Sequence, residues 1–221
     1  MRHYEQCLTA KIVIIKGVIS TLLFTFHKSY LFMKNAVFTA LLTLVLSSAF
    51  AQTWTLDKGH SRVGFTVNHH MISEVDGNFK IYDAKITATK ADFSDAVFEF
   101  TAETASFNTD NEMRDNDLKS ANYFDVEKFP KMTFKSTSFK RIMGNKWKIV
   151  GDLTIKDKTI SISLDIILGG PEYNERAKKQ EIGIKATGKI NRLDFGIGVN
   201  LPEMMVSNEV ELRILGEFKK D

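Results

Sequence analysis

The chain has little cysteine and no long apolar run suited to crossing a membrane. Its one cysteine in 221 residues, Cys7, excludes a disulfide framework and any metal site built from several cysteines. The apolar stretch 35–50 has 16 residues, short of the roughly 20 that a transmembrane helix needs. At 43% hydrophobic and 26% charged residues, the composition also excludes disordered, collagen-like and polytopic membrane proteins.

Residues 33–51 have the three parts of a secretory signal peptide. A basic start, Met33-Lys34-Asn35, precedes an apolar core and the small-residue ending Ala49-Phe50-Ala51. We predict cleavage after Ala51, with a membrane anchor or a buried core helix as the alternatives. Because a signal peptide begins at its own methionine, residues 1–32 are interpreted as an over-extended N-terminus, the alternative being a long two-part leader.

Removing this leader changes the charge of the chain. Five of the 30 basic residues and one of the 27 acidic residues fall within residues 1–51, so the net charge moves from +3 to −1. The remaining 170 residues contain no cysteine and are enough for one domain with a substantial core. With no net positive charge and no stripe of basic and aromatic residues, they are not expected to bind nucleic acid.

Alternating apolar and polar residues dominate the chain after Gln52, which predicts β-strands with one apolar face each. The alternation covers eight segments: 61–70, 78–89, 98–103, 131–135, 147–156, 159–168, 182–190 and 209–218. In the second segment the apolar parity changes, which predicts a bulge or break near Tyr82–Asp83. Turn signals between the segments, such as Asp76-Gly77 and Gly144-Asn145, indicate sequential antiparallel hairpins.

One short polar segment is predicted to be helical. Thr109 or Asp110 can cap a helix that runs to about Ala121, and we expect this helix to cover one end of the sheet structure. Gly196-Ile197-Gly198 is predicted to be a turn. About eight amphipathic strands form either a sandwich or a closed barrel, and alternation alone does not separate the two.

Several motifs together resemble the YceI-like family of exported lipid-binding proteins. They extend from about Thr53 to Phe218 and comprise Trp54-Thr55-Leu56-Asp57 with His60-Ser61-Arg62, Arg114–Leu118, Tyr123-Phe124-Asp125 with Phe129-Pro130, Gly151–Ile155, and Arg192-Leu193-Asp194-Phe195-Gly196. The resemblance implies an all-β fold, an antiparallel eight-stranded lipocalin-like β-barrel with a short helix in a connecting segment, over residues 52–221. It also implies a periplasmic location and a tunnel that holds a long isoprenoid or similar amphiphile. The sequence departs from the family at Lys156-Asp157-Lys158-Thr159, where a glycine is common in the turn.

An apolar tunnel is consistent with the residues, since burying hydrocarbon stabilises a complex by ~0.8 kcal/mol per CH₂ without many polar contacts. Inward-facing residues either fill a closed core or contact a ligand, and both alternatives follow from the same strand parity. The candidate tunnel residues are Phe65, Val67, Phe79, Phe98, Phe100, Phe134, Leu153, Ile162, Leu164 and Ile184.

Five polar residues are candidates for head-group contacts or for structural roles: His60, His69, Arg114, Arg192 and Asp194. His69 shares the face of Phe65 and Val67, so it either meets a head group at a tunnel mouth or hydrogen-bonds a neighbouring strand or loop. Arg192 and Asp194 are interpreted as an ion pair or a loop clamp. His69 and His70 are adjacent in a predicted strand and are expected to face apart, so they could not ligate one metal together without a bend in the chain.

The sequence favours binding over catalysis. It has no His-Glu-x-x-His, Gly-x-Ser-x-Gly or phosphate-binding glycine motif, and no nucleophile and base at a catalytic spacing. We therefore predict a periplasmic lipid carrier that uses no metal or cofactor. The alternatives are a quinone-precursor or stress-response accessory protein and an enzyme acting on an isoprenoid-type ligand. A homodimer is compatible with the sequence.

Overall fold

The computed structural model describes residues 51–221, so the predictions for residues 1–32 and for the signal peptide up to Phe50 lie outside the described part. The described chain contains the strands β1 Gln52–Leu56, β2 Arg62–His69, β3 Ser73–Phe79, β4 Tyr82–Ala88, β5 Val97–Glu103, β6 Phe107–Asn108, β7 Lys131–Met143, β8 Lys146–Ile155, β9 Lys158–Asn174, β10 Lys179–Asn191 and β11 Val206–Lys220. It also contains the α-helix α1, Glu112–Lys119, and three short 3₁₀ turns, Lys58–His60, Thr104–Ser106 and Arg192–Phe195. Within residues 51–221 no helix combines the length and apolar character needed to cross a membrane.

The strands close into an antiparallel barrel with eight strand positions. Five positions are single strands, β7 to β11, paired in chain order. Each of the other three positions is shared by two strands: β1 with β2, β4 with β3, and β5 with β6. In the first position, β1 and β2 both pair with β11. Next to them, β4 pairs with β1 and with β5, while β3 pairs with β2 and with β6. Pairing of β1 with β11 closes the ring. The all-β, eight-stranded, lipocalin-like barrel predicted from the sequence is confirmed.

The strand predicted over residues 78–89 is interrupted, as expected. The break lies at Lys80–Ile81, between β3 and β4, directly before the predicted position near Tyr82–Asp83. There the backbone N–H groups of both residues donate to Ser106, to its carbonyl and its hydroxyl oxygen, at 3.0 and 3.1 Å. The chain shifts its pairing at this point, so the inward-facing set changes from odd-numbered to even-numbered residues.

The N-cap of helix α1 lies two residues after Thr109, the first of the two predicted caps, and the helix ends two residues before the predicted end at about Ala121. Asn111 is the N-cap, and its side-chain oxygen accepts a hydrogen bond from the Arg114 backbone N–H at 3.0 Å. Asp110 instead has φ +60°, while Thr109 donates its hydroxyl to Asp115 at 2.6 Å. These contacts tie the start of the helix to the end of β6, which places α1 at one end of the barrel.

The two ends of the barrel differ. The helix end carries α1, the β2–β3 turn, the β8–β9 turn and the loop 192–205, which are joined by bonds such as His70 N–H to the Met205 carbonyl at 3.0 Å. The hairpin end carries the β7–β8 and β9–β10 turns and is filled by aromatic rings. There Phe139 stacks on Trp147 at 4.5 Å between ring centroids, and Trp54 lies 5.4 Å from Phe93. The barrel is therefore closed by packing at the hairpin end.

Candidate functional site

An apolar cavity of about 140 Å³ lies inside the barrel. The residues around it come from β1 to β5 and from β7 to β11, and they include Phe65, Phe79, Phe98, Phe100, Phe134, Leu153, Ile162, Leu164, Ile184, Ala186, Leu212 and Phe218. Its one lining hydroxyl, that of Tyr82, donates to the Ser61 carbonyl at 2.6 Å. Lys85 and Glu99 also border the cavity, but their side chains face outward and pair with each other at 2.8 Å. Burial raises the pKa of the Tyr82 hydroxyl above its usual value. We call this space the inner cavity.

A second cavity of about 410 Å³ lies at the helix end and is amphipathic. Its apolar wall includes Val67, Val75, Ile155, Ile190 and Val210, while His69, Thr109, Arg114, Asp117 and Tyr123 add polar groups. The exposed residues Asn111 and Met113 line it as well, so it reaches the surface beside α1. We call this space the outer cavity.

Three residues separate the two cavities. Phe65, Phe79 and Leu212 line both, and the rings of Phe65 and Phe79 lie 6.0 Å apart between centroids. All ten tunnel candidates from the sequence line at least one of the cavities: nine line the inner one, of which Phe65 and Phe79 also line the outer one, and Val67 lines the outer one alone. Their contact with a ligand stays a prediction.

Glycines in the wall explain why large aromatic residues leave this space open. A methyl group at Gly77 would lie 2.2 Å from the Phe65 ring, and one at Gly151 would lie 2.5 Å from the Phe134 ring. Each ring thus lies flat against a glycine of a neighbouring strand. A side chain at either glycine would push the ring into the lumen, because no real side-chain contact is that short.

The prediction that His69 and His70 face apart is wrong. The strand ends at His69, and His70 turns out of it with φ +52°, so that the two rings approach edge to face at 4.1 Å between centroids. His69 is half-buried and lines the outer cavity, whereas His70 is exposed beside the opening. The period-two rule failed because it applies only within the strand.

Arg114 presents a cation to the outer cavity. Its Nε and Nη2 donate to the hydroxyl and the carbonyl oxygen of Thr109 at 2.8 and 2.7 Å, which holds the half-buried side chain in place. Among residues 51–221, no carboxylate lies within ion-pairing distance of it. The guanidinium therefore retains hydrogen-bonding capacity toward the cavity.

Arg192 is a loop clamp and forms no ion pair with Asp194. The side chain is 4% exposed, and it donates to the carbonyls of Ser207, Ile197, Gly198, Leu201 and Val206 and to Asn208 Oδ1, at 2.5–3.2 Å. Burial lowers the pKa of its guanidinium. Asp194 is exposed and lines neither cavity. Gly196 and Gly198 both have positive φ in this loop, as expected for the predicted turn.

His60 lies on the outside of the barrel, away from both cavities. It follows Asp57 in a 3₁₀ turn, and its Nδ1 is 3.0 Å from Asp57 Oδ2 and 3.8 Å from Glu217 Oε1. Ligand atoms of these three residues lie within 4.8 Å of one another, a spacing that could hold a cation. Lys219 already supplies a positive charge there, because its ammonium group binds Asp57. The cluster joins the break between β1 and β2 to β11.

Because His60 and Asp57 are titratable, we expect this cluster to make the free energy of unfolding depend on pH. The hydrogen bond to Asp57 raises the pKa of His60, and hydrogen bonds from Lys219 and His60 hold the pKa of the Asp57 carboxyl well below its usual range. A raised histidine pKa stabilises the fold below about pH 6.5 and loses that effect as pH rises through the folded-state pKa. The Asp57 contribution is present above about pH 3.9 and is lost only in stronger acid.

We therefore expect the urea midpoint to fall as pH rises from about 6 to about 9. His60→Gln should remove most of that fall. His70→Gln, a change at an exposed histidine outside the cluster, should leave it in place. An identical pH profile for wild type and His60→Gln would contradict the assignment.

Sequence reasoning missed much of the outer cavity. Leu212 shares the inward parity of Val210 and Ile214, so the alternation of β11 could have identified it. Tyr123 belongs to the motif Tyr123-Phe124-Asp125, but no periodicity marks a loop residue as cavity lining.

The turn at which the sequence departs from the family pattern has the backbone conformation that favours glycine. Lys156 adopts φ +57° there.

Comparisons with known proteins place the chain in a family and agree with the barrel fold. Residues 54–218 match the family model of the YceI-like domain. A UPF0312 protein of Staphylococcus aureus is 36% identical over 169 residues, covering 75% of this chain and 96% of that protein. The crystal structure of a Campylobacter jejuni YCEI protein superposes with a TM-score of 0.62 at 34% identity, over 76% of this chain and 97% of that one. A polyisoprenoid binding domain from Saccharophagus degradans has the same fold, with a TM-score of 0.56 at 12% identity over 76% and 98% of the two chains.

Proposed function

The chain belongs to the YceI-like family, and from that premise we propose that it is a non-catalytic carrier of a long-chain isoprenoid or similar amphiphilic lipid. The observation that carries the proposal is the pair of adjacent cavities in the barrel, which share Phe65, Phe79 and Leu212 as lining: the inner one is apolar, and the outer one is amphipathic and open at the surface. The polyisoprenoid binding domain from Saccharophagus degradans, a protein of the same fold, supports an isoprenoid as the ligand class.

The arrangement suits a ligand with a hydrocarbon tail and a polar head. The tail lies in the inner cavity, past Phe65 and Phe79, where each buried CH₂ contributes ~0.8 kcal/mol. The head group stays in the outer cavity, where Arg114 offers N–H donors and His69 and Tyr123 lie on the same wall. Arg192 cannot serve the head group, because its donors are used by six acceptors of the surrounding loop.

The proposal includes export to the periplasm. It is supported by the signal-peptide pattern of residues 33–51. The non-catalytic role is supported by the apolar lining of the inner cavity, whose hydroxyl group, that of Tyr82, donates to a protein carbonyl.

Native mass spectrometry of protein purified from its own cells tests the proposal. We expect a fraction of molecules to carry a lipid of defined mass that is released by organic solvent. The cell fraction in which the protein is found tests export in the same preparation. Protein that carries no lipid after gentle purification, and takes up none from added polyprenols, would contradict the carrier function.

A further inference from the structure

Exposed apolar side chains surround the opening of the outer cavity. They come from three separate segments, the β2–β3 turn, helix α1 and the loop before β11. We call them the apolar rim: Met71, Ile72, Met113, Val199, Met204 and Met205. Met71 is 76% exposed and Ile72 is 88% exposed, so both project into solvent at the tip of the turn. Single exposed apolar residues are common, but a group of six around one opening marks an interaction surface.

Backbone contacts hold the three segments together around the opening. His70 N–H donates to the Met205 carbonyl at 3.0 Å, which joins the β2–β3 turn to the loop before β11. Gly198 N–H donates to the Asn122 carbonyl at 3.0 Å, which joins that loop to the segment after α1. Met113 lines the outer cavity itself, so the rim is continuous with the cavity wall.

We propose that the apolar rim docks on the surface of a zwitterionic phospholipid bilayer, so that a lipid passes between the membrane and the outer cavity without crossing water. This proposal rests on the lipid-carrier function. A long isoprenoid resides in membranes, and an opening ringed by methionine and isoleucine side chains can enter the boundary between head groups and acyl chains.

The charges beside the rim favour a zwitterionic membrane over an anionic one. Glu74, Glu112 and Glu203 are exposed and lie within two residues of a rim residue in sequence, whereas Arg114 is half-buried and lines the cavity. Exposed carboxylates are repelled by anionic lipids, and this repulsion is screened by salt. We therefore expect binding to phosphatidylcholine vesicles to exceed binding to phosphatidylglycerol vesicles, with the difference reduced at high salt.

Vesicle flotation with two matched double variants tests the proposal. Met71→Ser/Ile72→Ser should reduce binding to phosphatidylcholine vesicles by about tenfold or more, because it removes the two most projecting side chains of the turn. The control, Ile142→Ser/Met143→Ser, removes side chains that are 64% and 70% exposed at the hairpin end, and it should bind as wild type does. The rim variant should also take up a polyprenol from vesicles about tenfold more slowly.

Other results would overturn the docking proposal. Equal vesicle binding by the rim variant and wild type would do so, as would equal losses in both double variants. If the rim variant lost a dimer that wild type forms in solution, while its vesicle binding stayed unchanged, the rim would instead be the contact surface for a second copy of the chain. Failure of docking is distinguishable from failure of the carrier function, since protein that still carries lipid but ignores vesicles would refute only the former.

Discussion

Leu164→Lys is expected to abolish lipid retention, with affinity for a long polyprenol falling by about 100-fold or more. Leu164 is buried, lines the inner cavity, and lies against Gly188, where an added methyl group would be 2.4 Å from the leucine side chain. A lysine there places an amine against the hydrocarbon tail without a partner, which costs several kcal/mol by transfer arguments. Since every 1.4 kcal/mol is a tenfold change in affinity, a cost of about 3 kcal/mol already gives about 100-fold.

The adjacent residue provides the matched control. Ser163 precedes Leu164 in β9, is exposed, and faces outward, so Ser163→Lys should change affinity by less than about threefold. Titration with a fluorescent polyprenol analogue measures both variants, and circular dichroism checks that each is folded. If Leu164→Lys does not fold, Ala186→Phe tests the same cavity without a charge, and we expect about tenfold weaker binding of the long polyprenol with farnesol affected less. Normal binding by the folded variants would show that the tail does not enter the inner cavity.

Arg192→Ala is expected to lower the free energy of unfolding by about 3 kcal/mol, the largest effect on stability that we predict for one side chain. The guanidinium is almost fully buried and serves six acceptors between Ile197 and Asn208. Removing it leaves carbonyl groups of this loop without donors, and unsatisfied buried groups are costly. The loop also borders the outer cavity through Gly198 and Leu201, so its opening should lose order as well.

Urea denaturation measures the effect, and two further variants define it. Arg192→Lys keeps the charge but replaces the planar guanidinium, with its five N–H donors, by a single ammonium group, so it should recover only part of the stability. Arg213→Ala removes an exposed arginine of β11 and should change stability by less than about 0.5 kcal/mol. A loss in Arg192→Ala no larger than that in Arg213→Ala would contradict the clamp.

Strand alternation predicted the inward face of the barrel well. Side chains of a strand alternate between its two faces, so parity alone assigned residues such as Phe100, Leu153 and Ile184 to the lumen, where the structure places them. Alternation could not show where pairing shifts. The break at Lys80–Ile81 and the turn at His70 depend on hydrogen bonds to Ser106 and Met205, residues remote in sequence.

The lumen itself depends on tertiary structure. Phe134 and Trp147 both face inward by parity, yet Phe134 lines the inner cavity while Trp147 packs against Phe139 and helps to close the hairpin end. The difference comes from the residues that each ring contacts on a neighbouring strand. Gly151 has no side chain, so the Phe134 ring can lie against the backbone there. Sequence parity gives the direction of a side chain but not its distance from the side chains of other strands.

The sequence by itself determined the fold class, the family and the set of inward-facing residues, because each follows from local periodicity or from motifs that are read along the chain. Only the tertiary structure decided which inward residues fill space and which surround it, that Arg192 clamps a loop, and that rim residues from three segments surround one opening. These features are distances between segments far apart in sequence, and they are set by how the closed barrel brings those segments together.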